Sequence, residues 1–470
     1  MNVVQFRDLL RTAPLIASVQ ASPESPVDDP STLLKLAQAS LNNGVRILRL
    51  EGVENIRRIK TITGAVVIGL IKKEYPGSKV YITPTVAEVD ALLETGCEVI
   101  ALDATLRDRP ERAFLGDLID RIHAAGRLVL ADCDTLASAS AALRLGADMV
   151  STTLAGYTEA TANVGSGPAM EILRQICAEV QAPVLAEGRF TVPREVRSAM
   201  CIGADGIVIG GALNDPVKQT NAFVRASRQV TQPVMAVDIG GTWLRAALFS
   251  PDWQLQKIEK VALPATRDDR FDWIRTRAEE WNIEHVGISS GGTIDPRTGV
   301  VTESKDIIPN HEGSNFSVAL HRLKWSILND GLATAWGHAC LPQFAGRRVA
   351  TIALGTGVGF GFVDRGQILM GPHGEYPRLN DVVLPGGQTI EEVLGGATLT
   401  IHPSEAQKEI AREVARVAVS FVQNAMMPDT VVLCGGVGLS DWLGLDVPTS
   451  PFGEHAGLYG AAALALFPWG

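Results

Sequence analysis

No Cys-x-x-Cys pair occurs among the six cysteines, Cys97, Cys133, Cys177, Cys201, Cys340 and Cys434, which lie scattered along the chain. That scatter argues against a zinc knuckle or a dense disulfide framework and fits reduced thiols in a cytoplasmic protein. No apolar run reaches the roughly 18 residues that a bilayer-spanning helix needs. The first residues lack the charged, then apolar, then small-residue order of a secretory signal. There is no long run of like charge, and the net charge is −10. Nucleic acid and anionic membranes are therefore not expected as partners, and any phosphate must be recognised locally. What the chain has in abundance is length and apolar residues. Its 470 residues, 46% of them hydrophobic, suffice for large cores, and a length of roughly 100–200 residues per domain gives about three structural units.

The first half carries eight short apolar runs, each followed by or ending in polar residues or glycine. "LIASVQ" ends at Gln20, "VRILRLEG" contains Arg49 and Glu51, and "VVIGLIKK" ends at Lys72 and Lys73. "EVIALDAT" carries Asp103, and "RLVLADCD" carries Asp132 and Asp134. "DMVSTTL" carries Ser151, Thr152 and Thr153, "PVLAEGR" carries Glu187 and Arg189, and "GIVIGGAL" holds Gly210 and Gly211. Short runs rich in Val, Ile and Leu read as buried parallel strands. Helical patterns such as "STLLKLAQASLNNG" and "ERAFLGDLIDRIHAAG" lie between them and stop at glycine. A weak repeat, "TGCEVIAL", "LGADMVST" and "IGADGIVI", reads as one helix-to-strand loop used three times. Together these features predict an α/β fold whose first part is a (β/α)8 TIM barrel, with its chemistry at the C-terminal strand ends.

Lys72 and Glu187 would converge on the barrel mouth. An ammonium and a carboxylate there form a general acid/base pair whose pKa values burial can tune. Gly188, Gly210 and Gly211 expose backbone N–H groups after strands seven and eight, where barrels often bind phosphate. A lone Asp or Thr at a strand end is commonly a helix N-cap, so Asp134, Thr152 and Thr153 have a structural reading beside the functional one. From about residue 8 to 228 these stretches, with "GLIKKEYPGSKVYITPTVAEVDALLETGCEVIALDATLRDRP" and "STTLAGYT", resemble the bacterial N-acetylmannosamine-6-phosphate 2-epimerase family. The resemblance implies that Lys72 moves the C2 proton with Glu187 assisting, and that Gln20, Arg49 and Asp132 bind the sugar. No metal or organic cofactor is implied. The family pattern has an Ile-Thr-Arg run after the glycine pair, where this chain has Leu213, Asn214 and Asp215. Phosphate recognition is then expected from Gly188, Gly210, Gly211 and Arg189.

"RASRQVTQP" at 225–233 reads as a linker, placing the barrel at 1–229 and a second domain at 230–470. There "MAVDIGGTWLRAALFS" reads as strand, tight turn, strand, with Asp238 ending the first strand and Gly240, Gly241 and Thr242 in the turn. "TIALGTGVGFGFVDRGQI" repeats this architecture with Gly355, Thr356, Gly357 and Gly359. "VVLCGGVGLS" ends a strand at Gly435 and Gly436. Two phosphate-gripping hairpins and a third glycine turn resemble the sugar-kinase/actin superfamily. "NDGLATAWGH" and "AGLYGAAALAL" narrow the resemblance to the ROK family of sugar kinases, over about 234–468.

The resemblance implies an actin/hexokinase-like fold of two lobes with a boundary near 340. It implies Asp330 as the base for the attacking sugar hydroxyl, Asn310 and Asn329 on sugar hydroxyls, and ATP with Mg2+ as cofactors, Asp238 holding the metal through water. Two departures stand out. The family's Glu-x-Gly-His run is replaced by Glu375, Tyr376, Pro377 and Arg378, and "LPGGQTIEEVLGG" lacks the cysteines of its zinc cluster. No zinc is expected, and Glu391 takes the place of a sugar-contacting acid. The whole reads as a bifunctional, homo-oligomeric catabolic enzyme acting on small amino sugars and their phosphates: a kinase followed by a 2-epimerase. The alternative is an epimerase carrying a non-catalytic ROK-like binding or oligomerisation module.

Overall fold

The computed structural model describes the chain except residues 23–24, 163, 166, 228–229, 305–307, 356, 397–398, 400–402, 468 and 470. Two compact units divide it, Met1–Ala226 and Ser227–Gly470.

Eight parallel strands close the first unit into a barrel: β1 (Leu15–Val19), β2 (Ile47–Glu51), β3 (Val66–Leu70), β4 (Val99–Asp103), β5 (Leu128–Asp132), β6 (Met149–Ser151), β7 (Val184–Glu187) and β8 (Gly206–Ile209). β8 returns to pair with β1 in parallel register, Val208 opposite Ile16. Side chains alternate along each strand with period 2. In β4, Val99 and Ala101 join the inner cluster while Ile100 and Leu102 join the outer one. The helix Val3–Thr12, fixed by an Asn2–Gln5 capping box, sends Phe6 and Leu10 into the inner cluster. Leu10 lies against Gly206, where β8 begins, so this helix closes the N-terminal end of the barrel and leaves the opposite mouth open.

The repeated loop has a structural reason. Gly96, Gly146 and Gly203 all adopt positive φ, the left-handed turn that lets a helix pass into a strand. The acid that follows each one accepts a strand N–H: Glu98 from Val67 at 3.0 Å, Asp148 from Val129 at 2.8 Å and Asp205 from Val184 at 2.9 Å. The first strand turns of β3, β5 and β7 are each pinned by the loop two elements on.

The second unit holds two main sheets. The first runs β11 (Leu255–Ala262), β10 (Trp243–Phe249), β9 (Val234–Ile239), β12 (His285–Ser290), β15 (Lys324–Asn329). β13 (Thr293–Asp295) and β14 (Val300–Glu303) form a small ribbon. The second main sheet runs β18 (Gln367–Ile368), β17 (Val358–Asp364), β16 (Arg348–Leu354), β19 (Thr430–Cys434). Both main sheets centre on an antiparallel hairpin with a parallel strand added to its first arm: β9–β10 with β12, and β16–β17 with β19. The sheets fall on either side of residue 340 in sequence. The last helix, Ala456–Leu466, nevertheless returns to pack on β9 and β12, so the first lobe is discontinuous in a way that one boundary near 340 does not capture. It also packs on the helix Asp330–Ala339, and glycine permits the approach: a Cβ on Gly337 would sit 2.9 Å from the Gly460 Cα.

Candidate active sites

At the barrel mouth Arg49, midway along β2, and Asp132, at the end of β5, are almost wholly buried and paired bidentately, Nη1–Oδ1 at 3.1 Å and Nη2–Oδ2 at 2.7 Å. Burial alone would lower the Arg49 pKa, but the charges of Asp132 and Glu187 outweigh it and the net direction is upward. Glu187, at the end of β7, stands with Oε2 3.3 Å from Arg49 Nη1 and accepts the Thr153 hydroxyl at 2.9 Å. Ser151 donates to Asp132 at 2.9 Å, and the Thr153 hydroxyl also lies 2.8 Å from Asp132, so its single proton serves one carboxylate or the other. The guanidinium and these hydroxyls offset much of the cost of two buried carboxylates beside one another. Desolvation, with the nearby Asp132 charge, pushes Glu187 up to about 7, against the opposing pull of Arg49.

Lys72 comes just beyond β3, where Lys72 and Ile82 form an antiparallel bridge. The neighbouring Lys73 pairs with Glu88 at 3.0 Å. Lys72 is exposed as a residue, yet the mouth surrounds much of its side chain. Desolvation lowers its pKa, the Arg49 charge lowers it further, and Glu51 and Glu187 pull the other way. An acid raised and a base lowered at facing strand ends is the arrangement that proton transfer near neutrality needs.

Gln20 follows β1 and donates to Ser18 at 2.9 Å. Gly188 has φ +109° and starts the loop after β7. Among the described residues no acceptor is recorded for the N–H groups of Gly188, Gly210 and Gly211. Arg189 behaves differently from expectation. Its guanidinium donates to the carbonyls of Val164, Gly165 and Ala155 and lies over the Tyr157 ring. It is committed to holding the loop after β6 and is not presented to a phosphate. Asp134 is a structural residue, accepting from Ser138 at 2.9 Å and Thr158 at 2.7 Å. Thr152 ties β6 to the Glu187 backbone. Sequence reading passed over Tyr81, whose pKa is raised by burial and then by Asp132 and Asp103, which places its phenol in the same electrostatic neighbourhood.

In the second unit a cleft of about 330 Å³ is lined by Asp238, Gly240, Gly241, Asn329, Asp330, Gly355, Gly357, Gly359, Glu391 and Gly435 among others. Gly436 adjoins Gly435 in one turn, where Gly435 needs φ +78° and a Cβ would strike the Leu354 carbonyl. Asp330 opens the helix Asp330–Ala339, and Asn329 caps it by accepting the Gly331 N–H at 3.0 Å. Asn329 also donates to the Gly292 carbonyl at 3.0 Å, tying the helix start to the neighbouring loop. The Asp330 carboxylate is open to the cleft, whose walls enclose it. Desolvation raises its pKa, and the Asp238 charge adds to this.

Four expectations for this unit need correction or qualification. Glu391 lines the cleft but accepts the Val358 N–H at 2.8 Å and lies against Gly357, so it braces the second glycine hairpin and is held away from a purely sugar-facing role. Asn310 is exposed with φ +53°, its carbonyl accepting from Arg270, and it is not among the cleft-lining residues. Thr242 is exposed at its hairpin tip, also outside the lining. Thr356 lies outside the described residues. Three side chains that the sequence reading did not assign to the site, Arg245, Tyr376 and Arg378, also line the cleft. Arg245 donates through Nε to Asp238 at 3.0 Å, and Ser289 reaches the other oxygen at 3.1 Å. Arg378 stands where the family's histidine is expected and pairs with Glu303. Tyr376 is pushed up to about 12 by burial and by the Asp330 charge. The signal for Arg245 and Tyr376 was weak because each is one polar residue in a largely apolar or loop segment.

Comparison with known proteins agrees with this division. Residues 33–229 match the family described as "Putative N-acetylmannosamine-6-phosphate epimerase", and residues 234–379 match the ROK family. The bifunctional enzyme NanE/NanK of Brucella melitensis is 30% identical over 94% of this chain and 91% of its own length. A Clostridium perfringens protein named for the same 2-epimerase is 43% identical over 44% of this chain and 94% of its own. The solved structure of the N-acetylmannosamine-6-phosphate 2-epimerase from Clostridium perfringens is 41% identical, covering 46% of this chain and 95% of that one, with a TM-score of 0.45. The chain belongs to the bifunctional NanE/NanK family, an epimerase domain followed by a ROK domain.

Proposed function

We propose that the two units catalyse consecutive steps on one amino sugar: ATP-dependent phosphorylation of N-acetylmannosamine at O6, then 2-epimerisation to N-acetylglucosamine 6-phosphate. The observation that carries the proposal is shared by both units. Each confines a strand-end carboxylate, Glu187 or Asp330, so that its pKa rises where a substrate proton must move.

In the barrel, opening of the sugar ring places the C2 hydrogen beside an aldehyde. Lys72 takes that proton, the C2 electron pair moves into a 2-acetamido enolate with its charge on the C1 oxygen, and a proton returns to C2 on the other face with Glu187 assisting. The step is redox-neutral and needs no co-reactant. Arg49 and the Lys72 ammonium oppose the enolate charge, and preorganised charges of this kind are usually the largest single contribution to lowering such a barrier. Asp132 holds Arg49 in place, while Gln20 and the Gly188, Gly210 and Gly211 turns bind the substrate's polar ends.

In the second unit Asp330 accepts the O6 proton as that oxygen attacks the terminal phosphorus of ATP, and the bond to ADP breaks. Gly240, Gly241, Gly355, Gly357, Gly359 and Gly435 let backbone N–H groups approach the phosphates, and Asn329 binds the sugar. Among the described residues no cluster of three metal-ligating side chains occurs. Asp238 lines the cleft and would hold a hydrated Mg2+ through water, and the metal would neutralise charge on the transferring phosphoryl group. Phosphoryl transfer is chiefly positioning and electrostatics, so one base and this cradle suffice.

The test is a crossed pair of variants in the full chain. Lys72→Ala should abolish epimerisation and leave phosphorylation intact, and Asp330→Asn should do the reverse. Full epimerase rate in the Lys72 variant, or full kinase rate in the Asp330 variant, contradicts the assignment.

A further inference from the structure

We propose that Lys218 is the cation that holds the substrate's phosphate at the barrel mouth. The inference rests on the epimerase reading of the barrel and adds a residue to it. Asp215 occupies the position where an arginine is expected, and it is nearly inaccessible, with 4% of its surface exposed. A carboxylate there repels a phosphate unless a cation stands between them. The structure supplies one. Lys218 Nζ lies 3.3 Å from Asp215 Oδ2, while the Lys218 N–H donates to Asp215 Oδ1 at 3.0 Å. One carboxylate thus fixes both the backbone and the ammonium of the same residue.

The stem of Lys218 runs along the glycine turn after β8. A Cβ on Gly211 would stand 3.4 Å from Lys218 Cδ. The side chain is 68% exposed, so the ammonium keeps a solvent-facing side. Gln219 donates to the carbonyls of Gly211 and Ala212 at 3.2 and 2.8 Å, fastening the helix Pro216–Ser227 to that turn. Asn214 donates to the Ser18 carbonyl at 3.1 Å and fastens the turn to β1. The ammonium is close enough to the reacting end for its charge to act on Lys72. With Arg189 committed to loop carbonyls, Lys218 is the cation adjoining Gly211. A phosphate seated here meets an ammonium and the glycine N–H groups, and Asp215 serves to aim Lys218. The lysine three residues on thus takes the place of the missing arginine, as a point charge in place of a planar fork.

The experiment uses the full chain, N-acetylglucosamine 6-phosphate as substrate and inorganic phosphate as a competitive inhibitor. Lys218→Met should raise KM and the phosphate inhibition constant together by about 10- to 100-fold, with kcat changed by less than about threefold, as expected for loss of a charge-assisted contact made in both ground and transition states. Lys218→Arg should restore both. An active native chain whose KM and phosphate inhibition are unmoved by Lys218→Met, or in which only kcat falls, overturns the assignment. Lys218→Gln with unmoved KM and phosphate inhibition does the same where Lys218→Met fails to fold. A native chain inactive towards the sugar phosphate overturns the epimerase reading itself.

Discussion

Glu187 sits between opposed influences: desolvation and Asp132 favour its neutral form, while Arg49, Thr153 and Lys72 favour its charge. The outcome, about 7, has a direct kinetic consequence. Below that pH the group is protonated and above it the group is ionised, so epimerase kcat/KM should show a limb near pH 7. Glu187→Gln should remove that limb and lower the rate by about 100-fold or more, within the range for a lost general acid or base. A pH–rate profile of the variant checks this, and persistence of the limb would assign it to another group. The polar residue types at the strand ends were legible because barrel chemistry collects there. Their pairing was not. Nothing in the spacing of Arg49, Asp132 and Glu187, each from a different strand, says that one guanidinium bridges both acids. Arg189 and Glu391 misled for the opposite reason: each is the right residue type at the right place in sequence, and each spends its side chain on local backbone.

Elements were more legible than residues. The eight runs became eight strands because buried parallel strands need continuous apolar segments. The repeated Gly-x-acid loop was visible as a pattern, and its cause lies in the fold: an acid caps the strand N–H of Val67, Val129 or Val184. The glycine hairpins of the second unit were equally plain. The return of Ala456–Leu466 to the first sheet was not, since an alanine-rich helix buried nearly all round carries no periodic stripe to indicate its neighbours. Its packing is specific. A Cβ on Gly460 would collide with the Ala333 carbonyl inside the helix that Asp330 opens. Gly460→Ala should therefore destabilise the second unit by about 1–3 kcal/mol, the usual cost of overpacking, and reduce kinase activity. Epimerase activity should remain at its native level. Denaturant unfolding with both assays measures this, and unchanged kinase stability would mean that the helix contact is looser than the structure has it.

At the scale of the whole molecule, each site is assembled from residues of a single unit. No helix among the described residues is long and apolar enough to cross a membrane. The net charge of −10 gives the chain no broadly basic surface for substrate phosphates. Joining kinase and epimerase in one chain keeps the two catalysts at equal levels, and the product of the second unit is the substrate of the first. The second unit carries Tyr376 and Arg378, and lacks cysteines, where the resemblance implies a histidine and a zinc cluster, so the most direct test asks whether both units work on one substrate. Purified full-length chain is given N-acetylmannosamine, ATP and Mg2+, and ADP and sugar phosphates are followed together. The account predicts ADP release with accumulation of N-acetylglucosamine 6-phosphate. Absence of ADP, with conversion only of added N-acetylmannosamine 6-phosphate, would contradict it and leave a barrel epimerase joined to a module without this kinase activity.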